Sequence, residues 1–538
     1  MRSTAAATLL AAILVASALP LQAAESTAAP TDDKATDDEA LVKKFAAAID
    51  ELNNRDPQSP DTLNTRLAYA EFLTRREGGD CRARLREARV QLDALQASPT
   101  LTLVLADGLA RVAHLEYQLH LAQASCGDDA DVQDQELRAA LAAAQRAVDL
   151  YRDAFDAVSM VTMQFNVGVT YHALGNGGAA RAALQTTIDM DREYGFADDA
   201  AENYRLLLQW NNEGAGPEQV AARMQDFPQR TATLNFGWFE SDAKVSLQSD
   251  VSQLAGAESA HIRGSRSAQR QVRRHLQGWR VSYQLDQPHF ETGELPTDEL
   301  LAPHFASSLA RMLTHFHDFS LTRNGDFGDS KNDFKFDWRA RTDVKALARD
   351  FRSRGLDSKG RHSSHLANLI VAAAHHALSP EAIGARIAEE YNLAAGTWIG
   401  ATLEQGVWYD LTASLSLPIA ADFFMTHKIQ FTYSRPVPCT PDSSDVACIE
   451  IVLHAAPDPA ILRASLDSLA DQAGLRAGQL QLWSVTSMRL VTDPKTLQPY
   501  SREMRRHTYW SSGDPGPDHS LFESEKTLLL SGPITRAQ

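Results

Sequence analysis

The serine whose setting comes nearest to nucleophilic chemistry is Ser330, in the run Phe327-Gly328-Asp329-Ser330-x-x-Asp333. A serine hydroxyl attacks only when a neighbouring base takes its proton and N–H groups hold the developing oxyanion. The one Asp-x-x-His pair in the chain, Asp286-x-x-His289, lies upstream of that serine. No Gly-x-Ser-x-Gly elbow is present. The same residues also read as a polar turn after the strand-like Phe319–Thr322, with Gly325 and Gly328 giving backbone freedom.

Histidines cluster twice. His304, His315, His317 and Asp318 form one set, and His362, His365, His375 and His376 another. His365 and His376 share a face on a helix, and neutral imidazoles on one face can hold a transition metal. No His-Glu-x-x-His occurs, and the run from His362 to His365 supplies no glutamate to act as base. Asn324, Asp326, Asp329 and Asp333 are acidic enough for calcium, but Gly328 stands where an EF-hand needs a ligand. No metal site is assigned. No Walker or Rossmann glycine pattern is present, so no cofactor is indicated.

The block around Ser330 resembles the first block of GDSL-type esterases, which implies a serine nucleophile and an Asp-x-x-His near the end of the domain. This chain departs from that family. Its Asp-x-x-His comes before the serine, the Gly-x-Asn-Asp block is missing, and Lys331 replaces a leucine. The resemblance therefore leaves a hydrolase as an alternative rather than the expected activity.

One stretch opposes the acidic background. His261 to His275 holds Arg263, Arg266, Arg270, Arg273 and Arg274 with no acid among them. It reads as a solvated helix or loop before the strand at Trp279, or as an anion site for headgroups or an acidic partner.

The elements that must carry these residues divide the chain. The chain has 538 residues and a net charge of −17, which disfavours nucleic acid as a partner. Arg2 followed by the apolar run Ala5–Leu21, with a small-residue site at Ala23, predicts a signal peptide over residues 1–23. No later segment is apolar enough to span a bilayer, so the mature chain is expected to be a soluble protein of the bacterial periplasm. Residues 24–38 are small and polar, a disordered lead. Cys81, Cys126, Cys439 and Cys448 allow three pairings in an oxidising compartment. Cys439 and Cys448 flank a proline-rich loop between strand-like Ile429–Tyr433 and Ile449–Leu453, so a local bond there is the natural pairing. Cys81 and Cys126 then join two segments of the helical half, with free thiols as the other reading.

Residues 39–227 carry apolar stripes at helical spacing, such as Leu85, Ala88, Leu92 and Leu95. Gly175-Asn176-Gly177-Gly178 and similar turn signals separate them. Residues 228–538 change to alternation, as in Leu234, Phe236 and Trp238, or Trp279, Val281, Tyr283 and Leu285. Helical stretches at 300–316, 344–354, 365–378 and 380–391 lie between. The expected fold is α+β, an all-α hairpin array followed by a domain on a mostly antiparallel sheet.

Within the helical half, Gly168-x-x-Tyr171-x-x-x-Gly175, followed by Ala180 and Leu184, resembles a tetratricopeptide repeat. The resemblance implies that Gly168 faces a partner helix starting near Gly178, and that Tyr171 packs against Ala180 and Leu184. A poorer unit spans Leu63 to Leu95. It also implies a protein partner docked on the array. The leading expectation is a binding or scaffold protein without catalysis. The alternatives are a hydrolase using Ser330 or a histidine-cluster metal, and a carrier of an apolar ligand.

Overall fold

The structure is a computed structural model that describes residues 33–76, 80–105, 107–126, 129–228, 230–256, 258–276, 278–292, 308, 312, 315–328, 378–417, 420–472, 476, 478–511 and 520–536. It has an N-terminal helical region followed by a large antiparallel sheet, an α+β fold.

Ten helices make the array among the described residues: α1 Asp33–Arg55, α2 Pro60–Arg75, α3 Cys81–Gln96, α4 Leu101–Val104, α5 Gly108–Cys126, α6 Ala130–Asp153, α7 Ala157–Ala173, α8 Gly177–Tyr194, α9 Ala197–Trp210 and α10 Pro217–Met224. Side chains in the turns cap the helices that follow them. Ser59, Asp80, Asp129, Asp156 and Asn176 each accept a backbone N–H from the first turn that follows them. Gly195, at φ 82°, ends α8 in the left-handed conformation that glycine tolerates best. Successive helices bury alanine and leucine against one another. Ala140, Ala144 and Ala147 on α6 have no exposed surface, and their small side chains let α5 and α7 come close.

The strands are β1 Thr231–Thr233, β2 Ser241–Ala255, β3 Glu258–His275, β4 Gly278–Leu285, β5 His289–Thr292, β6 Phe319–Thr322, β7 Thr402–Glu404, β8 Trp408–Leu417, β9 Ala420–Val437, β10 Cys448–Pro457, β11 Gln481–Thr492, β12 Pro499–Ser511, β13 Ser520–Ser531 and β14 Thr535–Arg536. Among the described residues the long helices that fall between them are α11 Pro380–Ala394 and α12 Pro459–Gln472. The sheet runs β6-β4-β3-β2-β13-β12-β11-β10-β9-β8, with β14 on β2 and β5 on β3. All its described pairs are antiparallel. The last long strand, β13, closes against β2, the first long one, so the sheet is completed only when the C-terminal part of the chain is in place.

Period-two alternation gives this sheet two buried faces. On the inner face one cross-strand row reads Tyr409, Phe431, Leu453, Met488, Met504, Thr527, Ser249, Gly264 and Phe290. Residues of α11 and the buried Trp398 join the β9–β12 side chains of that face in one apolar core. The outer face is covered by the helical array, and Tyr509 and Phe522 share a core with Leu63, Leu67, Leu92 and Leu119.

Two expectations change. Leu234, Phe236 and Trp238 are not a strand. The segment belongs to no regular element, and the N–H groups of Leu234, Asn235 and Gly237 meet the carbonyls of Ala401, Pro494 and Thr496. The basic run from His261 to His275 is neither helix nor loop; it lies inside β3. Alternation overrides the charges, so Arg266 and Arg270 turn to the buried inner face while Arg263 and Arg273 reach Asp250 and Asp242 on the other. The helical stretch expected at 344–354, and all of that expected at 365–378 except Leu378, lie outside the described residues.

Candidate functional site

Ser330, Asp329, Asp333, His304, His362, His365, His375 and His376 lie outside the described residues. Gly328 N donates to Ser320 O, and Thr322 and Asp326 close the turn before it, so this part of the run is a turn beside β6. Among the described residues no group of three or more His, Cys, Asp or Glu is placed to hold a metal ion. Cys81 is bonded to Cys126 and Cys439 to Cys448. The first bond ties the start of α3 to the end of α5, and the second closes the loop between β9 and β10.

Gly168 lies on α7 against α8. A β-carbon built there would sit 3.4 Å from Leu184 N and 3.5 Å from Ala180 O. Gly175, at φ 72°, forms the turn, and the partner helix starts at Gly177, one residue before the expected position. Ala180 and Leu184 have no exposed surface. Tyr171 is half-buried, and its hydroxyl accepts from Gln145 Nε2 on α6 at 3.3 Å, so its polar end turns toward the preceding helix.

Alternate turns of the array rest on the outer face of the sheet. At the first, Asp56 accepts from Tyr509 and Ser520. At the second, His507 Nδ1 donates to Leu103 O at 3.1 Å. At the third, Phe155, at φ 63°, lies under Arg489 and Arg505 at 4.9 and 4.6 Å. A positive φ is strained for a bulky residue, and the cation–π pair holds it. Both arginines also bond Glu503, which burial pushes up and Arg505 and Lys526 bring below the ordinary carboxylate value. At the fourth, Gln405 donates to Glu193 O and Arg435 pairs with Glu193.

One pair in this seam has the residue types of a catalytic dyad. His454 Nδ1 lies 3.1 Å from Ser487 Oγ. Ser487 is buried between the sheet and the array. Asp156, whose charge acts on the imidazole, caps α7 through Ser159 N. Burial raises Asp156 and lowers His454, leaving both biased toward neutrality. The pair is an interface contact, stacked under Trp408 at 5.7 Å.

The inner face is the unusual one, because a core beside apolar side chains also holds charge. Arg502 donates to Glu390 Oε2 at 3.0 Å, and His315 Nδ1 lies 2.8 Å from Glu390 Oε1. Burial pushes Glu390 up, but His315 and Arg502 outweigh it and bring the carboxyl down to about 2. Arg506 reaches Glu389 at 3.3 Å. Gln253 Nε2 donates to Glu523 Oε2 at 2.5 Å, and Ser308 donates to the same oxygen at 3.1 Å. Arg270 is 4% exposed, and neither its Nε nor its Nη2 has a hydrogen-bond partner. Sequence reading found the arginine stretch but missed this inner face. Only the parity of each residue along its strand, in the actual register, reveals it.

No protein-family model and no curated protein matches the chain. Among solved structures it is similar to one titled "Lipid-protein interactions in lipovitellin", at 9% identity and a TM-score of 0.27. The match covers 56% of this chain and 26% of that one, so the chain spans about a quarter of that structure's length. At that score the likeness carries no argument.

Proposed function

We propose that this is a non-catalytic binding or scaffold protein of the bacterial periplasm, with a tetratricopeptide-like array over residues 39–227 that receives a protein partner. Residues 228–538 form the base that holds the array. In this reading residues 1–23 are a cleaved signal peptide and 24–38 a polar lead, shorter as a disordered segment than expected because α1 already starts at Asp33. Two disulfides support an oxidising compartment. Among the described residues no helix is long and apolar enough to cross a membrane.

The observation that carries the reading is the close approach of α7 and α8 at Gly168, the packing a tetratricopeptide-like hairpin requires. Seating alternate turns on the sheet holds the array in one shape, which lowers the ordering cost of binding. The test places a photo-crosslinking residue at Val169 or His172, both exposed on α7, or at Leu276 in a far hairpin turn as control. A discrete adduct from the α7 positions, absent at Leu276, supports the reading. No adduct at either α7 position, in cells that make the protein, sinks it.

A second reading, the carrier of an apolar ligand, is favoured by one observation, the buried Arg270 whose Nε and Nη2 have no hydrogen-bond partner. The hydrolase has no comparable support.

A further inference from the structure

Arg270 stands on the inner face of β3, level with Tyr283 on β4 and Ala243 on β2. Two residues to either side on the same face are the buried Ala268 and Val272. Val245, Leu247, Phe316, Leu285 and Leu529 pack around Ala268 and Tyr283. A guanidinium stays protonated at any ordinary pH, so this charge cannot escape its apolar setting by losing a proton. Burial lowers the Arg270 pKa, and the groups that act against this are two phenols, Tyr283 and Tyr500. Burial raises both phenols, so they are neutral near pH 7 and do not balance the charge.

Among the described residues, the two carboxylates of this face nearest the Tyr283 phenol are already engaged. Glu390 is held by Arg502 and His315. Asp318 accepts from Tyr283 N at 3.0 Å and lies 3.6 Å from Arg280. Leaving a buried charge unpaired is costly, and buried arginines usually avoid that cost by pairing. The two orphan nitrogens of Arg270 are Nε and Nη2. These form one edge of the guanidinium, the edge whose parallel N–H groups grip two oxygens of a carboxylate or phosphate.

We propose that Arg270 is the anchor of a ligand site on the inner face of the sheet, where its free Nε–Nη2 edge takes the oxyanion of an apolar-tailed molecule. The carboxylate or phosphate head satisfies the guanidinium, and the surrounding apolar side chains take the chain. This site is separate from the partner surface of the array and stands or falls independently of it.

The test uses the full-length protein, refolded from urea with its disulfides intact so that nothing carried through purification remains. Thermal melting is followed with inorganic phosphate, with dodecanoate, and with a lysophosphatidic acid, for wild type and for Arg270→Met and Arg270→Lys. The expected result is a rise in wild-type Tm of several degrees with at least one oxyanion, saturating at micromolar to millimolar concentration. Arg270→Met should melt higher than wild type without ligand, since it removes the unpaired charge, and should lose at least nine-tenths of the ligand shift. Arg270→Lys should keep part of it. A shift with phosphate alone identifies a free anion, and a shift confined to the amphiphiles identifies a headgroup with its chain. The proposal is overturned if no oxyanion shifts the wild type, or if Arg270→Met keeps the full shift. A fall in the ligand-free Tm of Arg270→Met overturns it as well, because the guanidinium would then already be satisfied within the fold.

Discussion

The phenol of Tyr509 donates to Asp56 Oδ2 at 3.0 Å across 453 residues of chain. Asp56 belongs to the turn between α1 and α2, and Tyr509 to β12. Ser520 donates to the same oxygen at 2.9 Å, and Gln58 N to the other. Both partner side chains are buried, so neither can turn to water if the carboxylate is lost. Asp56→Ala should therefore cost about 1–3 kcal/mol. Because the two regions share this contact and an apolar core, helix signal and sheet tryptophan fluorescence should disappear in one coincident urea transition. A protease cut near Asp226–Arg230 should leave the two fragments eluting together. Separate transitions, or fragments that part without denaturant, would show two independent domains instead.

The α7–α8 contact predicts opposite results at one position. A β-carbon at 168 meets its neighbours at ordinary contact distance, so Gly168→Ala removes a mid-helix glycine at no steric cost. It should stabilise by about 0.5–1 kcal/mol. Gly168→Leu should overpack the pair and cost about 1–3 kcal/mol. Equal effects in chemical unfolding would mean that the two helices do not touch there.

Asp191 on α8 has no exposed surface. Asn203 donates to its Oδ2 at 2.8 Å while Oδ1 has no partner. Burial outweighs that bond, and with Asp199 nearby it pushes the carboxyl up to about 8. The folded state thus keeps a proton that the unfolded state has released above about pH 4. Stability from this group should fall as pH rises from about 4 to 8. Asp191→Asn should flatten that slope and be the more stable protein at pH 8. An unchanged slope in melts taken across this range would exclude the buried acid as its source.

His507, in the seam, titrates in the opposite sense. Burial, aided by Arg505, pushes its pKa down to about 4, against the bond to Leu103 O. The folded state prefers the neutral ring, so stability is full above about pH 6.5 and falls as pH drops toward 4. The loss should reach about 3 kcal/mol at the lower end. His507→Gln can still donate to Leu103 O and should lose most of that dependence. Persistence of the full acid slope in this variant would assign it to other groups.

The Cys439–Cys448 bond closes the short loop between β9 and β10. Cys439→Ser with Cys448→Ser should cost about 2–3 kcal/mol in the chain-entropy account. Non-reduced peptide mapping should recover both cystine peptides, Cys81 with Cys126 and Cys439 with Cys448. Free thiols or exchanged partners would contradict the structure.

Sequence alone determined what depends on near neighbours. The helical array, its turns and its caps follow from local rules, since Ser59, Asp80, Asp129, Asp156 and Asn176 act within three residues of themselves. The hairpin turn of α7 and α8 was legible in the spacing of Gly168, Tyr171 and Gly175. Tertiary structure alone decided what depends on register. Composition made His261–His275 look solvated, whereas pairing with β2 and β4 sends Arg266 and Arg270 inward. It made Leu234–Trp238 look like a strand, whereas its N–H groups found loop carbonyls. It gave no sign that His507 meets Leu103, or Tyr509 meets Asp56, because such contacts arise only once β13 closes on β2. A strand's parity is visible in the sequence, but the face that ends up buried, and the partner waiting there, belong to the assembled sheet.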